Sequence, residues 1–106
     1  MPKVLWKFGY SAEGVKGLLK DGGSARRVAT QKAIESLGGR LEAYYFAFGD
    51  TDVYIIADMP DAASTAALAL TAGASGTGSA KTTVLLTPED VDAAVRKSPM
   101  YVPPGG

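Results

Sequence analysis

Six side chains have the chemistry to hold or transform a small molecule: Trp6, Tyr10, Arg26, Tyr45, Asp52 and Tyr54. What they can do is bounded by what is missing. The chain has no histidine and no cysteine. It therefore lacks the only side chain whose unperturbed pKa lies near 7, and it has no thiolate nucleophile, disulfide or thiolate metal site. A His-ligated zinc, iron or haem site is excluded, which leaves only oxygen-ligand metals. The expectation is a site with no metal and no cofactor. Any proton transfer would need a strongly shifted Asp, Glu, Lys or Tyr.

Each candidate has a structural and a functional account. Trp6 and Tyr10 share one face of an alternating segment, where they either line a ligand pocket or form a subunit interface rich in such residues. Arg26 and Arg27 fall in the first turns of a helix, where a cation gains nothing from the dipole. At least one should have a partner, either a carboxylate from elsewhere in the chain or an anionic ligand held bidentately. Asp52 closes a turn. It either bonds turn backbone amides together with Asp50, as Asp commonly does, or acts as a base or cation ligand at the rim of a sheet. Tyr45 shares a face with Leu41 and Ala43, which makes it a core tyrosine whose hydroxyl finds a partner. The glycines Gly73 and Gly78 before Lys81-Thr82 echo a phosphate-binding loop, but the Lys is two positions late. A phosphate loop also follows a strand and opens a helix, whereas these glycines precede a strand, so nucleotide binding is not expected.

The elements that must position these residues are legible from period and punctuation. Lys3 to Tyr10 alternates as a strand, with Val4, Trp6, Phe8 and Tyr10 on one side. Ser11 caps a short helix carrying Val15, Leu18 and Leu19. Ser24 is expected to cap a longer one, whose Ala29, Ala33, Ile34 and Leu37 make a narrow apolar face. Gly38-Gly39 stops that helix. Leu41–Phe48 and Val53–Ala57 form a hairpin around Gly49-Asp50-Thr51-Asp52. Pro60-Asp61 opens an Ala-rich helix over residues 62–72. Gly73 to Ser79 reads as a flexible loop, Lys81 to Thr87 as a fourth strand, and Thr87-Pro88 as the start of a last short helix.

The order βαββαβ is the ferredoxin-like pattern: an α+β fold with a four-stranded antiparallel sheet, its long helices on one face and a short C-terminal helix. The chain reads as one domain over residues 1–98 and a Pro/Gly-rich tail over 99–106. Both faces of the hairpin are apolar, whereas a sheet with one wet face alternates apolar with polar. The open face should therefore be covered, most simply by a second copy packed sheet to sheet, with any ligand cavity between sheet and cover.

Charge is zero overall, but residues 1–40 carry +5 and residues 41–106 carry −5. The basic residues are dispersed and lack the motifs of nucleic-acid binders, so self-complementarity within the fold or between subunits is the expectation. No run of about 20 apolar residues occurs, which argues against a membrane span. The N-terminal Met-Pro-Lys-Val-Leu-Trp-Lys does not read as a signal peptide. A cytoplasmic location is expected.

Leu37-Gly38-Gly39-Arg40-Leu41, Tyr45, Gly49-x-x-Asp52 and Pro60-Asp61 resemble the GYD domain family, small bacterial proteins without an assigned activity. Tyr10-Ser11-x-Glu13-Gly14, Arg26/Arg27 and the strand ending at Thr87 extend the similarity over about residues 3–90. The naming motif Gly-x-Tyr-Asp appears here as Gly49-Asp50-Thr51-Asp52, with threonine in place of tyrosine. The family in turn resembles the dimeric α+β barrel group, which includes small monooxygenases and haem enzymes, a likeness of fold that transfers no chemistry. Two functions follow as expectations. One is a homo-oligomeric module binding a small apolar or anionic ligand. The other is a cofactor-independent enzyme, monooxygenase-like or isomerase-like, using Asp52, Tyr54 or Tyr45 in an inter-sheet cavity.

Overall fold

Alternation decides the first strand. In β1 (Lys3–Tyr10) Val4 and Trp6 are buried while Lys7 is exposed. The computed structural model describes residues 2–106. β1 is followed by α1 (Ala12–Asp21), α2 (Gly23–Ser36), the hairpin β2 (Arg40–Phe46) and β3 (Val53–Asp58), α3 (Ala62–Ala74), β4 (Gly78–Leu85) and α4 (Pro88–Val95). The strands form one antiparallel sheet in the order β2-β3-β1-β4, as the ferredoxin-like pattern requires.

Several element boundaries were written locally. The Ser11 hydroxyl accepts the Gly14 N–H, Asp61 accepts that of Ser64, and Thr87 and Asp90 form a reciprocal capping box with Pro88 in the first turn. Gly38, at φ 84°, ends α2 in the left-handed conformation that a side chain resists. Two local expectations change. Helix α2 starts one residue before Ser24, its N-cap is Gly22, and no side chain caps it. The segment read as a loop over 73–79 is largely structured: α3 continues to Ala74 and β4 begins at Gly78. β4 starts there because its pairing to β1 runs on to Gly78 opposite Tyr10, and sheet pairing overrides local glycine content.

The core lies between the sheet and its helices. Val4 and Trp6 from β1, Val53, Ile55 and Ala57 from β3, Ile34 from α2 and Met59 make it up. Gly39 allows the chain to pass close to it, because a Cβ there would stand 2.6 Å from the Met59 sulfur and 2.9 Å from Ile34. From Pro88 onward every residue is exposed, and the molecule extends to 56 × 32 × 22 Å.

The opposite sheet face is mixed rather than uniformly apolar. Leu5, Ile56 and Leu85 are half-buried there, beside exposed Tyr45 and Tyr54. The same face carries an ion network: Lys3 Nζ donates to Glu42 Oε1 at 2.8 Å and to Asp58 Oδ1 at 2.9 Å, and Arg40 reaches Asp58 at 3.4 Å. These pairs join the basic and acidic halves of the sequence and tie β1, β2 and β3 together. The Lys3 ammonium, with help from Arg40, holds the Asp58 carboxyl below its ordinary pKa. A depressed folded pKa contributes stability that is complete above the unfolded value and lost as pH falls through the folded one. Asp58→Asn is therefore expected to cost at most about 1 kcal/mol at pH 7, because the pair is partly solvated. Urea titrations of the two proteins should converge as pH drops below the ordinary 3.8. A gap that persists in acid would mean that packing, not charge, sets the effect.

Candidate functional site

A cavity of about 410 Å³ lies between the helices and the sheet. That volume falls in the range of small-molecule pockets. Its floor comes from the strands, with Trp6, Phe8 and Tyr10 on β1, Tyr44 on β2, and Val53 and Ile55 on β3. Leu18 of α1, Ala33 of α2 and Leu68 of α3 supply apolar walls. The small residues of α2 and α3 make the space, since Ala29, Ala33, Ala69 and Ala72 line it without filling it.

The aromatic residues are set by strand alternation and by each other. Phe8 and Tyr10 meet edge to face at 5.3 Å, and Tyr44 and Phe46 at 5.4 Å, a favoured arrangement of ring quadrupoles. The end of β1 is pinned twice to the hairpin turn: the Asp52 N–H donates to the Phe8 carbonyl at 3.0 Å, and the Tyr10 N–H donates to Asp52 Oδ2 at 2.7 Å. At the other side Gly14 lies so close to the Thr77 carbonyl that a Cβ would collide with it. The Ser11 N–H donates to that same carbonyl at 2.9 Å. Helix α1 is thereby latched to the α3–β4 loop at the edge of the cavity.

The polar side chains on the lining are one guanidinium, one carboxylate, one indole and a set of hydroxyls that can donate or accept. Trp6 is 2% exposed and its indole Nε1–H has no hydrogen-bond partner among the described residues, an uncommon state for a buried donor. Burial and the neighbouring Tyr44 hydroxyl push the Tyr10 phenol up to about 12, while the Arg26 guanidinium pulls it partly back. Tyr10 is thus a neutral hydrogen-bond donor at physiological pH. Arg26 is half-buried at the cavity and makes no salt bridge among the described residues. Asp21 also lines the cavity, outside the set of charges that shift Tyr10. No three carboxylates converge among the described residues, so no oxygen cage for a metal is formed.

The structure brings three of the six sequence candidates, Trp6, Tyr10 and Arg26, to this cavity. Asp52 stands behind it as a backbone ligand, its carboxylate bound to the Tyr10 amide rather than to its own turn. Tyr45 and Tyr54 pair with each other on the opposite face. Tyr45 is not a core residue: it is 70% exposed. The cause is a β-bulge in β2, where Leu41 opposes Ala57 but Ala43 opposes Ile56, leaving Glu42 extra. A bulge of one residue exchanges the two faces beyond it, so Leu41 points to the helices together with Tyr44 and Phe46. Of the two partners expected for the arginines, the carboxylate is not found. Neither Arg26 nor Arg27 is matched by a carboxylate among the described residues, and Glu42 and Asp58 of the acidic half are paired instead with Lys3 and Arg40. Tyr44 was the residue missed, and pairing β2 against β3 from the turn backwards, Phe46 with Val53 and Tyr44 with Ile55, would have found it.

The family model described as GYD domain matches residues 5–95, and the chain belongs to that family. No curated protein and no solved structure matches the chain.

Proposed function

We propose that this member of the GYD domain family is a homo-oligomeric module that binds a small apolar or anionic molecule in the cavity between its sheet and its helices. The observation that carries the reading is the 410 Å³ space floored by aromatic rings. Protein interiors are packed to crystal density, so alanine-lined walls that stand off an aromatic floor are what a binding site needs and a core does not.

Oligomerisation has separate support. Tyr45, at 70% exposure, and Tyr54, at 38%, present an aromatic pair on the open sheet face, beside Leu5 and Ile56. Tyrosine is enriched at interfaces because it buries a large ring and keeps a polar tip. The alternative of a cofactor-independent enzyme is no longer favoured by a particular constellation. Tyr45 and Tyr54 are separated from the cavity by the sheet, and Asp52 is committed to the Tyr10 amide.

Native mass spectrometry of gently purified protein tests both parts. The expected result is a multiple of the 10.9 kDa chain that sheds a small molecule on activation. Tyr45→Asp should leave the melting temperature within a few degrees but shift the mass towards a single chain. A clean monomer in the parent protein would overturn the oligomer. Failure to retain any small molecule, with no calorimetric response to aromatic probes, would overturn the binding reading.

A further inference from the structure

The cavity is chemically lopsided, and that asymmetry specifies a ligand class. This inference rests on the binding reading above and refines it. Arg26, Tyr10 and Tyr44 line the cavity together, near enough for the guanidinium and the Tyr44 hydroxyl both to act on the Tyr10 phenol. The remaining floor is Trp6, Phe8, Val53 and Ile55. We infer that the cavity selects monocarboxylic acids with a flat apolar body, the carboxylate held at Arg26, Tyr10 and Tyr44 and the body laid on the Trp6–Phe8 floor.

Two observations converge on this. Arg26 is half-buried and has no carboxylate partner among the described residues. A guanidinium in that state is a ready fork for a planar anion, since its donors match carboxylate geometry. Helix α2 also begins at this residue's own turn with no acidic side chain in the first turn and no side-chain cap. The positive end of its dipole therefore lies at the turn that carries Arg26. A ligand that offers acceptors can pair with Arg26 and the two phenols, whereas a cation at this end would meet the guanidinium. Asp21 is the single opposing charge on the lining. It makes no salt bridge to Arg26, so the guanidinium is left free for an anion.

Isothermal titration of the full chain with 2-naphthoate and its neutral isostere 2-naphthamide tests the inference. The acid is expected to bind roughly tenfold or more tightly than the amide, the scale of one charge-assisted bidentate contact. Arg26→Gln should abolish that preference while amide affinity stays within about twofold, a difference of less than 0.5 kcal/mol. Arg27→Gln, at an exposed neighbour that does not line the cavity, should preserve the preference. Tyr10→Phe and Tyr44→Phe should each reduce it. Equal affinity for acid and amide in the parent protein, or an unchanged preference in Arg26→Gln, would overturn the inference and leave the binding reading standing. No heat with either probe, and no ligand in the native mass spectrum, would overturn both.

Discussion

Replacing Gly14 with alanine is expected to destabilise the protein by about 2 kcal/mol, although alanine is the better helix former. The substitution gains up to about 1 kcal/mol of helix propensity. Against that, the new Cβ would run into the Thr77 carbonyl and stand 2.7 Å from the Tyr10 ring. The obstacle is backbone, which cannot swing aside as a flexible side chain does, and overpacking of this kind costs roughly 1–3 kcal/mol and sometimes more. Relief requires α1 to back away from the α3–β4 loop. That would stretch the Ser11 N–H bond to Thr77 and the Ser11 hydroxyl bond to the Gly76 carbonyl, now 2.9 and 2.7 Å. Urea unfolding should show a lower midpoint with an unchanged slope, and the melting temperature should fall by roughly 10 °C. Because Gly14, Thr77 and Tyr10 all border the cavity, ligand affinity should fall as well. Wild-type stability in Gly14→Ala would mean that the latch between α1 and the loop is not tight.

The second large effect is expected at Ile34. Ile34→Ala should cost about 3–4 kcal/mol, towards the middle of the range for emptying a buried aliphatic site. Ile34 is fully buried, and it is the one residue of α2 that is. The rest of that helix offers the sheet little else, since Arg27, Gln31, Lys32 and Glu35 are exposed and Ala33 borders the cavity. Gly39 and Met59 close around the isoleucine, and a backbone held that close cannot collapse into the vacated space. Chemical denaturation checks the magnitude, and Ile34→Val should cost only about 1 kcal/mol. A loss below 1 kcal/mol in Ile34→Ala would show that Leu37 and Leu41, which pack against the same cluster, carry α2 without it. Since α2 also carries Arg26, a loosened helix should weaken discrimination between the acid and amide probes before it weakens apolar binding.

Local chemistry made most of the fold legible. Ser11, Asp61 and Thr87 declared helix starts because a side-chain acceptor one turn ahead of free amides needs no tertiary help. Gly38 declared a stop because its conformation excludes a Cβ. Alternation in β1 put Trp6 and Tyr10 on one face before any partner strand was known. The features that misread were those set by pairing. Tyr45 and Leu41 changed places because one extra residue in β2 shifts the register, and nothing in Leu41-Glu42-Ala43 announces a bulge. Residues 73–79 read as a loop because glycine weakens a strand on its own, yet the ladder from β1 extends to Gly78.

The site divides in the same way. The sequence by itself determined which chemistry is absent, since no histidine or cysteine can be supplied by folding, and it determined that Trp6, Tyr10 and Arg26 were worth watching. Only the tertiary structure decided that these three meet, that Tyr44 joins them, and that Asp52, Tyr45 and Tyr54 do not. It also put the cavity on the helix side of the sheet, not on the open side where the apolar hairpin suggested a cover. The reason is volume. A pattern of residues tells which face of a strand is apolar, but whether the opposing helix fills the space depends on side-chain size at α2 and α3 together. Alanines at 29, 33, 69 and 72, distant in sequence, leave the room only once the fold brings them to line one cavity over the same face of the sheet.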